Sequence, residues 1–432
     1  MPHAEVRASR PSILVLMLAV AGCSRGQPGG SVNGFDGGPD AGPSDGGRPS
    51  TPPRLCKEPV LQRMPVPVEY VHFMGQLGSL VPPDHTFPTP HFYFYTKNPF
   101  DATDIEAPVF APADLVLEYL GLRHYARLRG GTADYTDYYL TARVCDDVDL
   151  YFIHLRSITE PSLAALIDAQ RARCAWLADA GSNTGGGTEE QTCDVTLPGD
   201  PVLVRAGEPI GTAGDIRGVG GLDMGLHDMR DRDGRDFAKP DHMCPTGYGA
   251  PIHPQCYAEC PLDYVDEMLA APYRALFGYG PDQPAQVEPL CGKVHWDIAG
   301  TAQGYWFTAT PTLAGESEQD KLFMARSPLT DAVYVFSMDN ALAGVAGGLY
   351  GFAPRNGGQV NRRFGEISDQ SVYCFEGPGH GEGAVLRGWQ PWPFVLVLGF
   401  TPDGVLQIQK QDREDCGNGP YAFLENPARF TR

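Results

Sequence analysis

Tyr138-Tyr139-Leu140-Thr141-Ala142-Arg143-Val144 and Leu150-Tyr151-Phe152-Ile153-His154-Leu155 are two alternating runs with the turn residues Asp146-Asp147 between them. Side chains on a strand point to opposite faces in turn, so such runs predict a half-buried antiparallel pair. Outward from this pair the same signal recurs. Aromatic His91 to Tyr95, Ala107 to Phe110, Leu115 to Leu120, Val202 to Val204, Glu208 to Gly211 and Leu222 to Leu226 read as strands between Gly, Pro and Asp turns. One convincing helix interrupts them: Thr159 as its cap, Pro161 in its first turn, and Leu163, Leu166, Ile167 and Ala172 at helical spacing up to Trp176.

From Cys291 onward the strands become aromatic: Gly304 to Thr308, Ala332 to Met338, Ser371 to Phe375, and a hairpin from Phe394 to Gln409. The hairpin turns at Thr401-Pro402-Asp403-Gly404, where Pro presets one dihedral and Gly admits a positive φ. With 52 Gly and 40 Pro in 432 residues the elements must be short, which favours a mainly β chain. Its length exceeds one typical core, so two domains are expected, 54–285 and a smaller β-rich 286–432. Between them, Asp228 to Pro261 reads as a disulfide-fixed cap, followed by a short helix through Met268.

The N-terminus carries a different message. Arg7 and Arg10 precede an apolar run from Ile13 to Ala21 that ends Val20-Ala21-Gly22-Cys23. The run is too short for a permanent span and suits a signal peptide over residues 1–23. Small residues before a cysteine resemble the lipobox of bacterial lipoproteins, which implies a lipid on Cys23, a membrane anchor and a place in the bacterial cell envelope. Ser24 is compatible with the outer membrane. Residues 24–53 are Gly, Pro, Ser, Asp and Arg with Phe35 as the sole large apolar side chain, and read as a flexible tether.

Setting Cys23 aside leaves ten of the eleven cysteines, an even number that in an exported chain points to disulfides. Cys174 with Cys193 would close a polar loop, and Cys374 with Cys416 would staple the last sheet. His242, Cys244, His253, Cys256 and Cys260 include zinc-binding residue types without a C-x(2)-C pair, so disulfides are the preferred reading there. The net charge of −20 repels phosphate backbones, which excludes nucleic acid as the natural partner. No G-x-S-x-G serine elbow occurs, the Gly runs lack the setting of phosphate loops, and His295-Trp296-Asp297 reads as a packed strand end.

Several segments between about residues 80 and 228 occur in the order and character of the lysostaphin-type (LytM-like) zinc endopeptidases. Ala107-Pro108-Val109-Phe110-Ala111-Pro112-Ala113-Asp114 looks like the strand and turn after that family's first metal motif. Leu150 to Ile158 resembles its strand with tyrosine, histidine, leucine and serine. Val204 to Gly214 resembles its Ala-Gly and Ile-Gly turn, and Leu222 to Asp228 falls where its last H-x-H strand belongs. The resemblance implies a barrel-sandwich domain with one inserted helix.

The departures fall on the chemistry. Where the family has an H-x(3)-D motif, His91 stands at the Asp position and the residue four before it is Phe87, the nearest earlier histidine being His85. Gly221 and Asp223 replace the two histidines of H-x-H. His154 keeps the family's acid-base position. His85, His91 and Asp223 still amount to two imidazoles and a carboxylate, a set that zinc accepts with water in its fourth position. His154 would then orient or deprotonate that water. The alternative is a scaffold that binds no metal. His227 shares a strand face with Asp223 but lies about 13 Å along, and reads as outside the first shell of ligands. Because disturbed ligand spacing usually disables a zinc site, the expected activity is binding of a peptide or envelope polymer. An active zinc metallohydrolase cleaving peptide bonds, as in peptidoglycan cross-links, is the alternative.

Overall fold

The computed structural model describes residues 55–82, 85–96, 106–126, 135–177, 189–214, 221–230, 237–238, 243, 255–280, 283–308, 321–338, 344–377, 379–381 and 391–432. The expected signal peptide with Cys23 and the expected tether lie outside them, as do His242, Cys244 and His253. The chain is mainly β and forms two antiparallel sheets. Twelve strands make the first: β1 (Phe73–Gly75), β2 (Phe92–Tyr95), β3 (Ala107–Phe110), β4 (Leu115–Ala126), β5 (Tyr135–Cys145), β6 (Val148–Ile158), β7 (Ala175–Leu177), β8 (Glu189–Asp194), β9 (Leu203–Val204), β10 (Pro209–Ala213), β11 (Gly221–Asp228) and β12 (Ala258–Glu259). Along the main path the order is β1-β2-β11-β6-β5-β4-β8-β7, curling into a nearly closed barrel.

The β5–β6 hairpin turns at Asp146-Asp147, with Asp147 left-handed at φ 62°, a conformation that Asp tolerates better than most residues. Strand β6 changes neighbour along its length. It pairs with β11 from Val148 to Ile153 and with β10 from Leu155 to Ile158, leaving His154 at the join.

The second sheet has nine strands: β13 (Gly304–Thr308), β14 (Lys321–Arg326), β15 (Tyr334–Met338), β16 (Gly348–Phe352), β17 (Tyr373–Phe375), β18 (Gly379–Gly381), β19 (Val395–Phe400), β20 (Leu406–Gln411) and β21 (Ala428–Thr431). Both of its faces are buried. Leu322, Met324 and Phe336 face a core with Phe352, Phe364 and Phe375, while Phe323, Ala325 and Val335 pack with Leu80, Phe87 and Tyr257 from earlier in the chain. Two-sided burial is why this sheet reads as near-continuous apolar sequence.

Helix α1 (Pro161–Gln170) begins one residue later than expected. Glu160 caps it by accepting from Leu163 N at 2.7 Å, while Thr159 N donates to Ile210 O. It also ends earlier, since Ala175–Leu177 is strand β7. A second helix, α2 (Glu267–Arg274), is capped by Asp266 and runs six residues beyond Met268, where the sequence put the end of a short helix. Cys56–Cys145, Cys174–Cys193, Cys260–Cys291 and Cys374–Cys416 are disulfides, and Cys256 is also in a disulfide. The second and fourth are the pairs expected from local logic. Among the described residues no helix is long and apolar enough to cross a membrane.

Candidate functional site

Strands β2, β11, β6 and β5 lie side by side and bring one polar cluster together. On β11, Leu222, Met224 and Leu226 point into the main core, so Asp223, Gly225 and His227 take the opposite face. Asp223 stands across from Tyr93 on β2 and Ile153 on β6. Strict alternation on β6 would send His154 to the core face with Leu150 and Phe152. Instead the core residues run Leu150, Phe152, Leu155. The extra residue is accommodated by a bulge against β5 and by His154 itself, at φ 68°. A bulge re-aims side chains in this way, and it delivers His154 to the same face as Asp223.

The contacts form a chain. Asp137 Oδ2, on β5, accepts from His154 Nδ1 at 2.8 Å, and Tyr139 OH donates to the same oxygen at 3.1 Å. His154 Nε2 lies 3.5 Å from Asp223 Oδ2, and His91 Nε2 lies 3.3 Å from that oxygen. His91 Nδ1 is 3.2 Å from Tyr151 OH, whose proton is directed at Pro90 O. The Tyr151 oxygen is therefore the acceptor, and His91 Nδ1 carries the proton.

The proton count defines the site. With a carboxylate on Nδ1 of His154 and a phenol oxygen on Nδ1 of His91, each neutral imidazole presents the lone pair of Nε2 to Asp223. Three acceptors thus face one another, an arrangement that needs a proton or a cation between them. Asp223 Oδ1 is buried without a hydrogen-bond partner among the described residues. Burial lifts the Asp223 carboxyl to about 7; positive charge on His154, when it is protonated, opposes the rise and Asp137 adds to it. Tyr93 and Tyr151 are pushed well up by burial and by Asp223, and so remain neutral phenols.

His85 reaches the cluster through His91, ring edge to ring face, with centroids 5.8 Å apart. His227 is buried against the Tyr151 ring, centroids 5.2 Å apart, and stands behind that tyrosine. Tyr151 fits there because its partner is Gly225, where a Cβ would fall 2.1 Å from the ring. The structure thus brings His91, His154 and Asp223 into contact and sets His85 beside them. Asp137 and Tyr151 complete the cluster, and sequence reasoning missed both. The available signal was an aspartate inside an aromatic strand, Tyr135-Thr136-Asp137-Tyr138, where burial demands a partner.

His154 is the accessible member, with 24% of its side chain exposed against 4% for His91 and 6% for Asp223. A carboxylate and an imidazole with an anchored Nδ1, Asp223 and His91, would suit a divalent ion such as zinc, with His85 beside them as a further imidazole. Among the described residues no group of three or more His, Cys, Asp or Glu side chains stands ready-spaced to hold a metal. Asp223 touches both imidazoles directly, and an ion would replace those contacts. Elsewhere, Cys256 and Cys260 are in disulfides, and Asp297, expected at a packed strand end, lies instead in the loop before β13, where it accepts from Ala238 N and Tyr305 N. No known protein family, characterised protein or solved structure matches the chain.

Proposed function

We propose that this chain is a zinc-dependent hydrolase of peptide bonds, held at the bacterial cell envelope by a lipid on Cys23 and directed at peptidoglycan cross-links. The observation that carries the chemistry is the convergence of the His91 and His154 lone pairs on Asp223, with Asp137 and Tyr151 fixing both tautomers. His91 and Asp223 would hold the ion, with His85 as the third ligand. When bound, zinc supplies Lewis acidity that lowers the pKa of a bound water towards neutrality. His154, partly buried but the most accessible of the three and oriented by Asp137, would take up a proton at Nε2. The N-terminal signal, the even cysteine count and the acidic charge support export and argue against nucleic acid.

A second reading draws on the direct contact of Asp223 with both imidazoles: a groove that binds a peptide or envelope polymer without cleaving it. Metal analysis of the purified chain after zinc repletion separates the two. The hydrolase reading expects one zinc per chain, lost in His91→Ala and Asp223→Ala. It expects His154→Ala to keep zinc while losing cleavage of isolated peptidoglycan. No zinc in the wild-type protein leaves the binding groove as the surviving reading.

A further inference from the structure

Asp223 lies within β11 and His91 abuts β2, whereas His85 stands in the loop between β1 and β2. That loop is fastened at its base and at its tip. At the base Thr89 N donates to Ser79 O at 3.1 Å. Further out, Val81 N donates to His85 O at 3.0 Å and His85 N to Val81 O at 2.8 Å, closing a tight turn. Leu80 before this turn and Phe87 after it sit in the core that covers one face of the second sheet. The Phe87 ring stands edge-on to Tyr305 and Phe307, with centroids 4.8 and 5.4 Å away, and Lys321 Nζ lies 5.1 Å over it.

Ser337 adds a polar fastening. Its neighbours in β15, Phe336 and Met338, face the opposite core, so Ser337 turns towards the loop, between Phe323 and Leu349 on the adjoining strands. A hydroxyl buried among such residues needs a partner. It donates to Thr86 O at 2.7 Å, with Ser337 and Thr86 both 0% exposed. Apolar packing alone does not call for a serine here; the carbonyl one residue from His85 does.

We infer that the second sheet is the holder of the third metal ligand: Ser337 and the aromatic pocket around Phe87 are positioning residues that keep the His85 imidazole beside His91, ring centroids 5.8 Å apart. The role of His85 as a ligand rests on the zinc-hydrolase reading, whereas its placement does not. A loop already fixed by its surroundings loses less freedom when an ion binds, and supporting contacts of this kind strengthen a metal site. The second sheet thereby belongs to the site itself.

The test uses the full chain isotope-labelled at histidine Cε1, with the NMR peaks of His85 and His227 identified by their loss in His85→Gln and His227→Gln. In the metal-free protein Ser337→Ala should shift the His85 peak and leave that of His227 in place, and Ser337→Thr, which keeps the hydroxyl, should restore it. After zinc repletion, chelator competition should show affinity weakened about 10- to 100-fold in Ser337→Ala and regained in Ser337→Thr. Phe87→Leu should act in the same direction, which covers the case in which Ser337→Ala fails to fold. Ile408→Val thins the opposite core of the same sheet; it should lower the melting temperature and leave both readouts unchanged. An unmoved His85 peak in Ser337→Ala and Phe87→Leu overturns the inference, as does a moved peak with undiminished zinc affinity. No zinc in the wild-type chain ends the hydrolase reading, while the His85 peak still decides whether the second sheet places that side chain.

Discussion

Asp137 holds His154 by its Nδ1 proton over 2.8 Å, so the other ring nitrogen faces Asp223 as a lone pair. Asp137→Asn keeps the shape but lets the amide present either its oxygen or its NH2, releasing the tautomer. Cleavage should fall on the order of 10²- to 10⁴-fold with zinc content unchanged, as read by kcat/KM beside metal analysis. Equal loss of zinc would make His154 a ligand rather than a base.

In the zinc-free protein Asp223 titrates near 7, against 3.8 when unfolded. Between those values the native state binds the extra proton, so stability falls as pH rises from about 4 to about 7. The loss from this group is up to about 4 kcal/mol. Urea melts across that range should show the slope in the wild-type chain, and Asp223→Asn should flatten it. Identical slopes in both proteins would place the carboxylate in a more solvated setting.

Gly225→Ala puts a methyl group into the Tyr151 ring. Overpacking costs about 1–3 kcal/mol, and the ring it displaces anchors His91. Both the melting temperature and zinc affinity should drop, measured by calorimetry and by chelator competition. A drop in stability alone would show that His91 does not depend on Tyr151.

Arg432 lies over the Trp306 ring, donates to Tyr305 O and Ile298 O, and pairs with Asp297. Arg432→Ala leaves a buried carboxylate without that partner, at a cost of about 3–5 kcal/mol. Thermal unfolding should register it, whereas zinc content should not change.

The strands were legible where burial is one-sided or where turns are explicit. Ala107–Phe110 and Gly304–Thr308 fall where the sequence puts them. Lys321–Arg326 and Gly348–Phe352 did not announce themselves, because strands buried on both faces lose alternation and the second is broken by glycine. His91, His154 and Asp223 were visible as residue types at suggestive places, but their convergence depends on a bulge that no periodicity encodes. Asp137 stood out only as an aspartate in an aromatic strand; its partner was hidden for the same reason, since the bulge is what turns His154 towards it.

That bulge sets stability against purpose. A left-handed histidine in mid-strand is a strained backbone, on the order of 1–3 kcal/mol, and His154 carries φ 68°. Glycine at this position would relax the chain but remove the imidazole that Asp137 holds. A screen for thermal resistance alone would therefore drive the sequence away from histidine here, whereas, if the proposed hydrolase is right, selection for turnover would hold it in place.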